Sequence, residues 1–188
     1  MEGAASRLRQ FEPQLIPGLL QTEAYATAIL SADPGIGPDD LAERVRARLA
    51  RQKLLTRSAP APPVLEVFLD ETVLLRPIPD TDEWCRQLAH LVNVSTKPSI
   101  SVRVLPRVAG LHLANESGAF VILDFPRLGP REPEPTTVYS EGLTGALYLD
   151  KTAEVNAFER VWLELDRLAL CRDATDDLIS TIIKEIVQ

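Results

Sequence analysis

Lysine, histidine, cysteine and aromatic side chains are all scarce in this chain. Four of its twenty basic residues are lysines, there are two histidines and two cysteines, and aromatics make up 5%. Cys85 and Cys171 lie far apart and neither sits in a C-x-x-C. That argues against a disulfide framework and for free, buried thiols in a reducing cytosol. His90 and His112 form no metal-ligand spacing with each other or with a carboxylate cluster, so no metal site is expected. No P-loop, dinucleotide fingerprint or G-x-S-x-G elbow is present, and no cofactor is expected. No apolar run approaches the ~20 residues that span a bilayer, and no basic-then-apolar leader opens the chain. The expectation is a soluble cytoplasmic protein with no membrane partner. Positive charge is also short: 27 acidic against 20 basic side chains give a formal net charge of −7. No run of arginine or lysine offsets it locally, so this chain alone is not expected to bind nucleic acid.

What is present is enough apolar material for one core. Hydrophobic residues make up 45% of the 188, and a single domain is the default at that length. Residues 1–57 read as a helical N-terminal segment of two helices. The second starts at Pro38-Asp39-Asp40 and carries Leu41, Val45, Leu49 and Leu55 on one side. A Pro-rich connector, 58–63, ends the helical part. Strands follow at Val64–Leu69, Ser99–Leu105, Ala119–Phe125 and Thr136–Ser140, with a short fifth at Ala146–Leu149. A helix lies between the first two, over Asp82–Leu91, and a proline-rich turn over 126–135 separates the third and fourth. Two helices close the chain, one carrying Val155, Phe158, Trp162, Leu165 and Ala169, the other Leu178, Ile179, Ile182, Ile183 and Ile186. Strands grouped between helical blocks predict an α+β domain with one small mixed or antiparallel sheet of four to five strands and C-terminal helices packed on it. The element order is loosely similar to half of a phospholipase-D-type unit, but that hydrolase's His-x-Lys signature is absent: His112 is followed by Leu113-Ala114.

The segment Phe11 to Ala26 holds the densest local information. Pro17-Gly18 is a strong turn dipeptide, proline presetting φ and glycine accepting left-handed geometry. Thr22 is placed to cap the next helix, with Glu23 in its first turn. Leu15, Ile16, Leu19 and Leu20 are too apolar for a solvated linker, so they tie the segment to a core or to a partner. As a partner surface, it would present Pro17, Leu19, Leu20, Gln21 and Tyr25, joined by Arg48 and Gln52 of the second helix. Self-association into a homodimer through the same residues is an open alternative.

Taken whole, PGLLQTEAYA resembles the opening of the uncharacterised effector-side domain that follows a repressor-like helix-turn-helix in antitoxin-like transcriptional regulators of high-GC filamentous bacteria. The resemblance continues through Arg48-Leu-Ala-Arg-Gln52, Leu69-Asp-Glu-Thr-Val-Leu74, Gln87-Leu-Ala-His-Leu91, Val102-Arg-Val-Leu-Pro106, Gly118-Ala-Phe120 and Val138-Tyr-Ser-Glu141. The DNA-binding domain of those regulators is absent here; the chain starts almost where it would have ended. The resemblance implies a regulatory domain that binds a small molecule or a small companion protein.

Candidate chemistry is sparse. Asp70 ends the first strand, where a carboxylate either lines a crevice or caps the following turn. His90 stands near the C-terminal end of its helix, where the dipole favours an imidazolium. Glu141 follows Tyr139 and would anchor an amine or hydroxyl. Trp84, Leu88, Phe120, Tyr139, Tyr148 and Trp162 are the side chains expected to line an apolar ligand pocket, against the plainer reading of core fillers. Two functions follow. The first is a regulatory ligand- or partner-binding domain. The second is a stand-alone enzyme derived from it, cyclising or isomerising a secondary-metabolite intermediate by orientation, with Asp70, His90, Tyr139 or Glu141 moving one proton.

Overall fold

Alternation along the strands decides how this molecule is layered. The computed structural model describes residues 1–127 and 134–187. Among them, six strands form one mixed sheet: β1 (Arg7–Glu12), β2 (Val64–Asp70), β3 (Ile100–Leu105), β4 (Phe120–Asp124), β5 (Thr137–Gly142) and β6 (Gly145–Leu149), in the order β3-β2-β1-β4-β5-β6. The first three are parallel, β4 runs antiparallel to β1, and β4, β5 and β6 form an antiparallel meander. Parallel neighbours need crossovers. The first is made by α1 (Glu23–Leu30) and α2 (Pro38–Arg51), the second by α3 (Glu71–Leu74) and α4 (Thr81–Val94).

One face carries Leu8, Leu65, Val67, Leu69, Val102, Val104, Val121 and Leu123. These pack with Leu20 and Tyr25, with Trp84, Leu88 and Leu91 of α4, and with Ile179 and Ile182 of α7 (Arg172–Val187). The other face carries Phe11, Phe68, Leu105, Phe120, Ile122 and Val138 against Val155, Trp162 and Leu165 of α6 (Thr152–Leu168), with Ala114 of α5 (Ala114–Ser117). Helices therefore cover both faces, and the α+β expectation holds with six strands in place of four to five. Among the described residues, no helix is long and apolar enough to cross a membrane.

The N-terminal segment departs from its expected helical character. β1 lies inside it and stands in the middle of the sheet, paired with both β2 and β4. The reason is Arg9, a charge at an inward position of a strand buried on both faces. Its guanidinium forks onto Glu159 at 2.5 and 2.6 Å and onto Asp124 at 3.2 Å twice, with the Trp162 ring 6.0 Å away. The partners are supplied from distant parts of the chain, so the strand pattern is broken in sequence and complete in space. The connector 58–63 is irregular, yet the strands on either side of it pair directly, so it marks no domain boundary. The proline-rich turn expected over 126–135 falls largely on residues 128–133, outside the described residues.

Candidate functional site

Residues Ile16 to Thr22, between β1 and α1, form a hook. Gly18–Leu20 form a 3-10 turn in which the Leu20 N–H donates to the Pro17 carbonyl at 2.8 Å. Gly18 does not take the left-handed conformation expected of it; the described glycines with positive φ are Gly110 and Gly118. Its carbonyl instead accepts from Gln52 Nε2 at 3.2 Å, and the same amide donates to the Gln21 carbonyl at 2.7 Å. Thr22 caps α1 as expected, its Oγ1 accepting from the Tyr25 N–H at 3.3 Å. Gln87 Oε1 accepts from the Thr22 N–H at 2.6 Å while its Nε2 donates to the Leu20 carbonyl at 2.9 Å. Gln21 Nε2 donates to the Ile16 carbonyl at 2.7 Å, and the Ile16 N–H donates to Tyr25 Oη at 3.2 Å.

Burial corrects the partner-surface expectation. Pro17, Leu19, Leu20, Gln21 and Tyr25 are all buried within the chain's own fold. Leu20 has no exposed surface at all. Arg48 and Gln52 face the hook and brace it, Arg48 Nη1 donating to Gln21 Oε1 at 3.0 Å. These side chains are spent inside the fold, while Leu15 of the same segment is exposed.

What the hook and α2 create is a cleft over the β1–β4–β5 side of the sheet. Its inner lobe, about 230 Å³, is walled by Gln10 and Glu12 of β1, Gln21 of the hook, Arg48 and Arg51 of α2, and Tyr139 and Glu141 of β5. Leu19 borders it, as does Phe120, although the Phe120 ring packs into the core on the opposite face of the sheet. A second lobe of about 330 Å³ shares Glu2, Arg51, Val121, Tyr139 and Glu141 with the first and extends to Leu123 and Tyr148. The Tyr139 and Tyr148 rings lie 5.1 Å apart, centroid to centroid.

The electrostatics of the inner lobe are uneven. Arg51 is paired with Glu2 at 2.8 Å. Among the described residues, no carboxylate forms a direct ion pair with Arg48; burial, then the neighbouring Arg51, lower its pKa, and the charge of Glu141 offsets part of that. Glu12 accepts from Gln10 Nε2 at 2.7 Å, but burial pushes its carboxyl up to about 7, with Glu141 adding to the rise. Tyr139 donates its hydroxyl to Glu141 at 2.8 Å. Burial and that interaction push the phenol up to about 12, so it remains a donor throughout the neutral range. The site therefore presents one free cation, one carboxyl that changes charge near neutrality, and one tyrosine–carboxylate pair.

Other expected site residues lie elsewhere. Trp84 is buried against Tyr25 on one face of the sheet, and Trp162 against Phe68 on the opposite face, with Leu88 in the first of these cores. A six-stranded sheet separates the two indoles, so they cannot line one apolar pocket; each fills a core. Asp70 caps α3, its Oδ1 accepting from the Thr72 N–H at 2.9 Å. His90 is half-buried on α4, and burial, then Lys97, lower its pKa, the reverse of the expected dipole-favoured imidazolium. Neither lines the cleft. Tyr139, Tyr148, Glu141, Leu19, Gln21 and Arg48 do line it, around a hollow more polar than expected, whereas the Phe120 ring fills the core on the opposite face of the sheet. Glu12 and Gln10 were missed, because they sit on the strand that sequence reading did not find.

Residues 1–181 match the model of a family described as Domain of unknown function (DUF5753). The chain belongs to that family. No functionally curated protein and no solved structure matches it. Within this DUF5753 chain, the segments PGLLQT, Arg48–Gln52, Gly118–Phe120 and Val138–Glu141, dispersed in sequence, meet at the cleft, while Gln87 holds the hook from behind.

Proposed function

We propose that this domain is a regulatory, ligand-binding module that holds a small polar molecule in the cleft between the hook, α2 and β5. The observation that carries the reading is the convergence of four distant segments on one hollow where, among the described residues, no carboxylate pairs directly with Arg48 and Glu12 is poorly solvated. Charged groups left in that condition are costly unless a ligand completes them. The resemblance to effector-side domains of helix-turn-helix regulators supports the regulatory part. In that setting the ligand's binding energy would bias the hook and α2, and through them whatever is attached. The acidic surface supports a role without direct nucleic-acid contact, and the thiols Cys85 and Cys171, free as expected but half-buried and exposed rather than buried, fit a cytoplasmic setting. A small companion protein is the other partner this resemblance implies.

A second reading has its own support. A carboxyl near 7 beside a tyrosine–carboxylate pair is suited to moving a proton. An isomerase or cyclase using Glu12, Tyr139 and Glu141 would need only those groups and a well-oriented substrate.

Native mass spectrometry and thermal shift with the small-molecule fraction of a bacterial extract test the first reading. Extract should raise the melting temperature of the wild type and leave Tyr139→Ala unshifted. Equal shifts for both proteins, or none for either, would remove the cleft as the binding site. Turnover of an extract component, lost in Glu12→Gln, would favour the enzyme.

A further inference from the structure

The two lobes of the cleft differ in chemistry, and the difference specifies a ligand. The inner lobe holds a cation, Arg48, on the α2 wall and two carboxylates, Glu12 and Glu141, on the sheet wall. Arg48 is fixed in place by Gln21, through one guanidinium nitrogen at 3.0 Å. This leaves the rest of its planar fork for an oxyanion, which it matches in geometry. Glu12 and Glu141 share the sheet wall and repel each other, and the attraction of Arg48 reaches Glu141. A cation placed between them relieves that repulsion and the desolvation of Glu12 together. Arg51 does not fill this role, being engaged by Glu2. The outer lobe offers Val121, Leu123 and the exposed ring of Tyr148, which is 59% accessible. Tyr139 borders both lobes, its hydroxyl donating to Glu141.

Resting on the ligand-binding reading, we propose that the cleft takes an amphiphilic zwitterion of amino-acid type, its ammonium between Glu12 and Glu141, its carboxylate on Arg48, and its aromatic or branched tail against Tyr139 and Tyr148. Opposite charges on opposite walls select against a simple acid, which would meet Glu12 and Glu141, and against a simple amine, which would meet Arg48. Each missing group leaves a charged protein side chain uncompensated, a heavier loss than a missing methylene.

Isothermal titration with L-tryptophan, indole-3-propionate and tryptamine tests this directly, since the last two lack only the ammonium or only the carboxylate. L-tryptophan should bind more tightly than either by about tenfold or more. Glu12→Gln should erase most of its advantage over indole-3-propionate, and Arg48→Leu its advantage over tryptamine. Arg48 also braces the hook, so Arg48→Lys is measured beside it, and the affinity ratio within each folded variant is the readout. Binding of indole-3-propionate or tryptamine as tight as that of L-tryptophan overturns the zwitterion assignment. So does no binding by any of the three while extract still stabilises the wild type and not Tyr139→Ala. That last outcome spares the cleft as a ligand site. Loss of the extract effect in both proteins removes the site itself.

Discussion

Gln87 and Thr22, sixty-five residues apart, are joined by a 2.6 Å hydrogen bond in which a buried carboxamide oxygen accepts the backbone N–H at the start of α1. The same amide donates to the Leu20 carbonyl on the other side of the hook. One side chain thus substitutes for the secondary structure that a non-repetitive buried segment lacks.

Replacing it should unmake the hook. Gln87→Leu keeps the volume approximately and orphans a buried donor and a buried acceptor. Expected destabilisation is about 2–3 kcal/mol, or a fall of about 5–10 °C in melting temperature for a chain of this size. Urea denaturation with the tryptophan signal of Trp84, which lies in the same core, measures it. A loss within experimental error would mean that water or a shifted backbone satisfies both groups.

Arg9 makes a second prediction, on the opposite face. Its side chain is 7% exposed, while Asp124 and Glu159 keep 27% and 32% of theirs. Arg9→Met should cost about 2–4 kcal/mol, below the full penalty for breaking a buried pair because both carboxylates can turn towards water. Adding Glu159→Leu should recover part of that loss. If the double variant is as unstable as the sum of the singles, the network is not the source of the effect.

Asp70 separates a cap from a catalytic group. Asp70→Ala should lower stability by about 0.5–2 kcal/mol through loss of the bond to the Thr72 N–H. It should leave every ligand affinity unchanged, since Asp70 does not line the cleft. A changed affinity for any cleft ligand would return Asp70 to the site.

The parts of the fold legible in sequence were those whose pattern is local. Strands β2 to β5 are bounded, apolar and β-branched, and Trp162 and Leu165 repeat on α6 at helical spacing. β1 was illegible because Arg9 interrupts its apolar face, and the groups that neutralise it lie 115 and 150 residues away. Missing β1 hid Glu12 and Gln10, which its alternation aims into the cleft. It also left open whether the hook ties to a core or to a partner, when the strand before it anchors the segment in mid-sheet. The aromatic residues misled for a related reason: a tryptophan's spacing shows that it faces a core, but not which side of the sheet that core is on. Tyr139 and Glu141 were visible because a strand end carrying an aromatic and an acid two residues apart puts both on one face.

Glu12 sets the pH dependence of stability, and the direction follows from its environment. In the unfolded chain its carboxyl titrates at the ordinary value near 4.5; in the fold, burial first and Glu141 second move it up to about 7. Between those values the native state holds a proton that the unfolded state has released. Stability must therefore fall as pH rises across that window, then level off above it. The side chain retains partial solvent access, so the loss should be about 2 kcal/mol, less than the full shift would imply. Glu12→Gln, which keeps the shape and cannot ionise, should flatten this part of the profile and be the more stable protein at pH 8. Urea denaturation of both proteins from pH 4.5 to 8 checks it. A wild type that gains stability relative to Glu12→Gln across the same range would mean that Glu12 is ionised in the fold and held by a cation. In the unliganded cleft that cation would have to be Arg48, turned away from Gln21.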